Sequence, residues 1–183
     1  MATLYHGTTL ANWEQIQREG WNGPGRKPVW NCSDDSCVYG YELNKADADE
    51  ENREDWCIRE AMIQAMTSAA VLGYLGTTMI VLRLEVPDEL VHDDDSCPNM
   101  GGLASYFFAS DFCPEFVTGV FSSDCYLPSL RLLYISNLIK RNEYVIKDFL
   151  SEKEINFVME NNFETESYFA LFDDIEWSQG LAA

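Results

Sequence analysis

Leu4-Tyr5-His6-Gly7-Thr8-Thr9 is the stretch whose reading decides the fold. An apolar start runs into a histidine, a glycine and two hydroxyl residues, and a helical pattern follows at once. Residues 3–7 therefore read as a short buried strand. Thr8 or Thr9 can cap a helix that reaches about Arg18, because Leu10, Trp13 and Ile16 recur at a spacing of three and form one apolar face. Gly20 supplies its stop. A strand that ends in His and Gly presents one polar ring and bare backbone, a combination able to receive a ligand.

Downstream, Trp21 to Pro28 reads as a loop punctuated by Gly23-Pro24-Gly25. Its Arg26-Lys27 pair is either a diphosphate contact or a solvated loop tip. Pro28-Val29-Trp30 is a brief extended piece. Ser33-Asp34-Asp35 offers a helix start with Val38 and Tyr41 on one side. The chain is strongly acidic from Asp47 to Asp55, which suits the positive end of a helix dipole. Trp56, Ile58, Met62, Met66, Ala69, Ala70 and Leu72 then follow at helical spacing, and Gly73 and Gly76 close that helix. Met79 to Val86 is β-branched and alternating, so it reads as a strand ended by Pro87. Residues 92–128 carry two polar turns and many aromatics, which fit core and loop packing better than a binding platform. Arg131–Ile135 and Asn142–Lys147 are further strand candidates, and Ser151-Glu152-Lys153-Glu154 opens a helix. Residues 161–183 form an acidic aromatic segment, packed or loose, after a domain spanning 1–160.

Composition limits the functions available. With 183 residues and 46% hydrophobic content, one globular domain is expected. The 31 acidic and 12 basic residues give a formal charge of −19, which disfavours direct contact with nucleic-acid phosphates and fits a basic protein partner or plain solubility. No apolar run is long enough to span a membrane and no secretory signal stands at the start, so a reduced, cytoplasmic protein is expected, one able to act inside a host cell. The six cysteines form no CxxC pair. A zinc site from His92, Cys97, Cys113 and Cys125 has no familiar spacing, and no metal is expected.

Three stretches together resemble the ADP-ribosyltransferases of the diphtheria toxin and poly(ADP-ribose) polymerase branch, the H-Y-E group. Tyr5-His6-Gly7-Thr8 looks like that family's opening strand, and Ile16-Gln17-Arg18-Glu19-Gly20 is similar to the segment that follows it. Trp30 and Tyr41 stand eleven positions apart, as do the family's two aromatics, which lie on a strand and on the helix after it. Asn142-Glu143-Tyr144-Val145-Ile146 resembles the strand that bears the catalytic glutamate. Trp30 departs from the usual Tyr, and Arg141 stands where arginine-modifying relatives have an acid or amide.

The resemblance implies an α+β fold with a split β-sheet core and flanking helices. It also implies cleavage of the nicotinamide–ribose bond of NAD, with transfer of ADP-ribose to a macromolecule. Glu143 would stabilise the charge that builds on the ribose, as carboxylates do in glycosyl transfer. His6 would bond the adenosine-side ribose and so serve both binding and catalysis. Gly7 would let its backbone approach the nicotinamide amide, with Thr8 adding a hydroxyl. Trp30 and Tyr41 would hold the nicotinamide ring between their faces, with ordinary core packing as the alternative. Against transfer to a protein acceptor stand three other readings: an NAD glycohydrolase, a tRNA 2′-phosphotransferase-like enzyme that the negative charge disfavours, and an inactive acidic protein that binds or mimics a partner.

Overall fold

The computed structural model describes residues 1–21, 34, 36–72, 78–94, 103–123 and 178–180. In chain order these form β1 (Ala2–Thr9), α1 (Leu10–Glu19), β2 (Cys37–Glu42), α2 (Arg53–Leu72) and β3 (Met79–Val86). The two-residue β4 (His92–Asp93), β5 (Ala104–Phe108), β6 (Val117–Ser123) and β7 (Ser178–Gly180) follow. The strands make one sheet in the order β4-β5-β2-β1-β3-β6-β7, with every pairing antiparallel. The fold is α+β, and the opening strand lies at the centre of its sheet.

Alternation along β1 explains why a helix packs on each face. Leu4 joins Trp13 and Ile16 of α1, with Val38, Leu82 and Phe107, in one apolar cluster. Tyr5 joins Cys57, Ala61 and Met62 of α2, with Val81 and Phe121, in another. The β3 sequence serves both faces, which is why Met79 to Leu82 are all buried. Each large apolar side chain so buried contributes roughly 1.5–3 kcal/mol.

The junction from β1 to α1 forms as the sequence indicates. The Thr9 hydroxyl accepts a hydrogen bond from the Asn12 backbone N–H at 3.1 Å, which makes Thr9 the N-cap. Gly20 ends the helix at φ 78°, in the left-handed region, and its N–H donates to the Ile16 carbonyl at 2.8 Å.

At Gly7, α2 lies directly against β1. A Cβ on Gly7 would lie 1.7 Å from the Ala61 carbonyl oxygen and 3.1 Å from the Ala65 Cβ. Cys57, Ala61 and Ala65 recur every four residues, so the helix presents a stripe of small side chains to the strand. Gly7 is thus explained by helix–strand packing, whatever its backbone does on the strand's edges.

Three expectations are corrected. The strand expected over 3–7 runs on to Thr9, so His6 and Gly7 lie inside it and not at its end. His92 and Asp93, expected in a polar turn, form β4. Ser33-Asp34-Asp35 does not open a helix carrying Val38 and Tyr41. Those residues lie on β2, between β1 and β5. The Asp34 carboxylate accepts from the Ser36 N–H at 2.8 Å and from the Ser36 hydroxyl at 2.7 Å. That two-residue loop-back is an Asx turn leading into a strand, not a helix cap. In 92–128, left without assigned elements, β4, β5 and β6 are found. Trp30, the strand candidates 131–135 and 142–147, and the helix from Ser151 lie outside the described residues. Of the acidic segment 161–183, Ser178–Gly180 pairs with β6.

Gly7→Ala drives a methyl into a helix carbonyl and is expected to cost about 3 kcal/mol or more. At Gly40 the nearest atom to an added Cβ is the Tyr5 oxygen at 3.0 Å, so Gly40→Ala costs less. Urea denaturation of the two variants checks the order; equal stabilities would contradict the close packing at Gly7.

Candidate functional site

β1 and β2 are joined at only two register pairs, Leu4↔Glu42 and Tyr5↔Tyr41, whereas β1 and β3 pair over their whole length from Ala2↔Val86 to Thr9↔Met79. Beyond Tyr5 the ladder between β1 and β2 stops. There the His6 imidazole reaches across, with Nδ1 2.6 Å from the Tyr39 carbonyl oxygen. A carbonyl only accepts, so Nδ1 carries the hydrogen and Nε2 is the acceptor nitrogen of the neutral ring. The His6 ring also meets Trp21 edge-on at 5.0 Å, and Trp21 meets Phe112 at 5.0 Å. The first histidine therefore sits where two central strands part, half-buried and oriented by a backbone atom.

The other expected site residues divide between the two faces. His6 and Thr8 share the α1 face with Leu4. The Thr8 hydroxyl is buried and accepts from the Asn12 side-chain amide at 3.4 Å. Tyr41 lies on the α2 face, only 4% exposed, with its ring edge-on to Trp56 at 5.6 Å. His6 and Tyr41 thus project from opposite sides of the sheet, and the packing role weighed for Tyr41 is the one it fills. Trp30, Glu143, Arg26 and Lys27 lie outside the described residues. So do Cys97 and Cys125 of the cysteine–histidine set. Cys113 there bonds Glu115, and His92 stands on β4. No group of three or more His, Cys, Asp or Glu suited to a metal occurs among the described residues.

Sequence reasoning missed a polar network on the α2 face. The Tyr5 hydroxyl donates to Glu54 at 2.7 Å, Glu54 lies 3.5 Å from Arg83, and Arg83 pairs with Glu85 at 3.1 Å. Thr3 completes it by donating to Glu85 at 3.1 Å. Burial, and then the Glu54 carboxylate, push the Tyr5 phenol upward, so it stays protonated. Register alone would have found part of this, since Tyr5 opposes Arg83 and Thr3 opposes Glu85. Cys57 is buried beside it. Burial and the Glu54 and Glu60 carboxylates push its thiol up to about 12, so no reactive thiolate forms there at neutral pH.

Glu60 is the less expected carboxylate. It stands four residues after Trp56, is partly buried, and joins no hydrogen bond or ion pair among the described residues. Burial raises its carboxyl above the ordinary value, with Arg59 opposing.

No family model, curated protein or solved structure matches this chain. Among the described residues no helix is long and apolar enough to cross a membrane.

The Glu60 environment yields a pH-dependent outcome. A carboxyl whose folded value is raised destabilises the folded state once pH exceeds that value, and costs nothing below the unfolded value of about 4.3. Glu60→Gln is therefore expected to raise the thermal midpoint at pH 7 and to leave it unchanged near pH 4. Thermal melts at both pH values check this; a gain of the same size at both would contradict it.

Proposed function

We propose that this chain transfers ADP-ribose from NAD to a protein acceptor. The observation that carries the reading is the parting of β1 and β2 at His6, with the imidazole held by the Tyr39 carbonyl. That arrangement holds the imidazole at the seam between the two strands, where it would meet a ribose hydroxyl of the adenosine half. The similarity of Tyr5-His6-Gly7-Thr8 and Asn142-Glu143-Tyr144 to the H-Y-E group supplies the chemistry.

In that chemistry the bond between the nicotinamide nitrogen and ribose C1′ breaks, and nicotinamide leaves with the electron pair. Positive charge develops on the ribose, and the Glu143 carboxylate stabilises it. A nucleophilic atom of the acceptor bonds C1′ and gives up its proton. His6 orients the adenosine-side ribose. Thr8 holds α1 to the strand through Asn12, and Trp30 stacks on the nicotinamide ring. Tyr41, in the α2 core, is not counted on as the second face of that stack.

One observation favours a second reading, that of an acidic binding protein without turnover: His6 and Tyr41 lie on opposite faces of the sheet, so the aromatic pair of the family does not close around His6. Labelled NAD separates the two. Wild type is expected to release nicotinamide and label added protein, and Glu143→Gln to lower the rate by about 100-fold or more while the fold persists. His6→Asn is expected to raise KM for NAD more than it lowers kcat. Release without labelling indicates hydrolysis by water. A folded wild type that releases no nicotinamide, or a Glu143→Gln variant as fast as wild type, contradicts the proposal.

A further inference from the structure

On the α2 face, beyond the reach of that helix, β2, β5 and β4 carry rings in one continuous patch. Register aligns them: Tyr39 opposes Tyr106, Tyr106 opposes His92, and Cys37 opposes Phe108. Tyr39 and Tyr106 lie 5.7 Å apart, His92 is 5.3 Å from Tyr106 and 5.6 Å from Phe108, and Tyr106 meets Phe108 at 6.0 Å. Core aromatics would be covered, and these are not. Phe108 is 42% exposed, His92 is exposed, and both tyrosines are partly exposed. Neighbouring Phe107, which points to the opposite face, is fully buried. The exposure therefore belongs to this face of the strand.

Negative charge borders the rings. The backbone N–H of Asp34 donates to the Tyr39 hydroxyl at 2.9 Å, which brings that residue to the shelf's edge. Asp94 follows β4 and continues the sheet behind the rings, only 7% exposed, its N–H donating to the Ala104 carbonyl at 3.2 Å. Burial raises Tyr39 and Cys37; the Asp34 and Asp94 charges add to this, while the hydrogen bond from the Asp34 N–H pulls Tyr39 back down. The nearby Lys45 ammonium does not offset them here, because it is held on the other face by Glu42, Asp93 and Ser105.

Aromatic faces bordered by carboxylates favour an organic cation. A guanidinium suits the shelf better than an ammonium, because it is planar, weakly hydrated and stacks on rings. A stacked nucleic-acid base would bring phosphates toward a chain of net charge −19. We propose that the Tyr39–Tyr106–His92–Phe108 shelf docks an arginine side chain of a basic protein partner, with the exposed Asp34 at its acidic border. This surface lies on the opposite side of the sheet from His6 and does not depend on turnover of NAD.

The test is a titration of the full chain with a short glycine–arginine peptide, read by aromatic NMR signals and by calorimetry. The matching citrulline peptide keeps the shape and removes the charge. The arginine peptide is expected to shift the signals of Tyr39, Tyr106, His92 and Phe108, and the citrulline peptide to bind about tenfold more weakly. Phe108→Leu keeps an apolar side chain at an exposed position and removes the ring; it is expected to weaken arginine binding about three- to fivefold. Glu14→Gln, an exposed charge removed from α1 on the opposite face of the sheet, is expected to leave affinity unchanged. Equal binding by Phe108→Leu and wild type overturns the proposal, as do shifts centred on the acidic 47–55 stretch. Shelf signals moved by oligothymidylate and not by the arginine peptide would assign the surface to nucleic acid and overturn it as well.

Discussion

The contact between the Gly7 backbone and the Ala61 carbonyl sets the spacing of everything around it. Because no Cβ intervenes, α2 lies directly on the central strand, and small side chains at Cys57, Ala61 and Ala65 keep it there. Buried Met62 and Ile58 then reach the α2-side cluster, and Tyr41 is sealed beneath Trp56. The same placement covers β2 at Tyr41 and, among the described residues, leaves its Tyr39 end with β5 and β4 without helix cover, which is how an aromatic shelf comes to stand open. A glycine that invites a ligand-based explanation is thus first a packing device, and the site must be argued from the residue beside it.

His6 is that residue. Alternation along β1 turns it away from α2 and toward α1 and Trp21, and the two-pair seam between β1 and β2 gives it a backbone carbonyl to hold. One strand therefore performs two tasks on its two faces: Tyr5 and Gly7 anchor the α2 layer, while His6 occupies the gap at the seam. Glu54 shows the same economy of position. It accepts from Tyr5 and approaches Arg83, tying the first turn of α2 to the middle of two strands.

Legibility in the sequence followed local chemistry. Thr9, Gly20 and the spacing of Trp13 and Ile16 specify α1 without outside help, and Met79–Val86 reads as a strand from its branched residues alone. Cys37–Glu42 was legible only in part, because Asp34 has the side chain of a helix cap and uses it instead in a turn two residues long. Ala104–Phe108 has aromatic residues on both faces, so neither strand nor helix periodicity emerges. Of the site, His6 could be singled out because histidine and glycine after an apolar run are an unusual pair, although the strand runs on through them to Thr9. Its separation from Tyr41 by the thickness of the sheet could not, since residue spacing along a chain carries no information about which face of a sheet β2 presents beside β1. The loss of charge balance is visible from composition, but only the fold gathers Asp34 and Asp94 around Tyr39.

The central claim is that the seam at His6 receives NAD. The most direct measurement is the nitrogen NMR of the His6 imidazole during titration with NAD. In the free protein Nδ1 should carry the proton, and on saturation the Nε2 resonance should move while Tyr41 and Trp56 signals stay in place. Saturating NAD that leaves both His6 nitrogens unmoved, or that shifts the Tyr41–Trp56 pair instead, would contradict it.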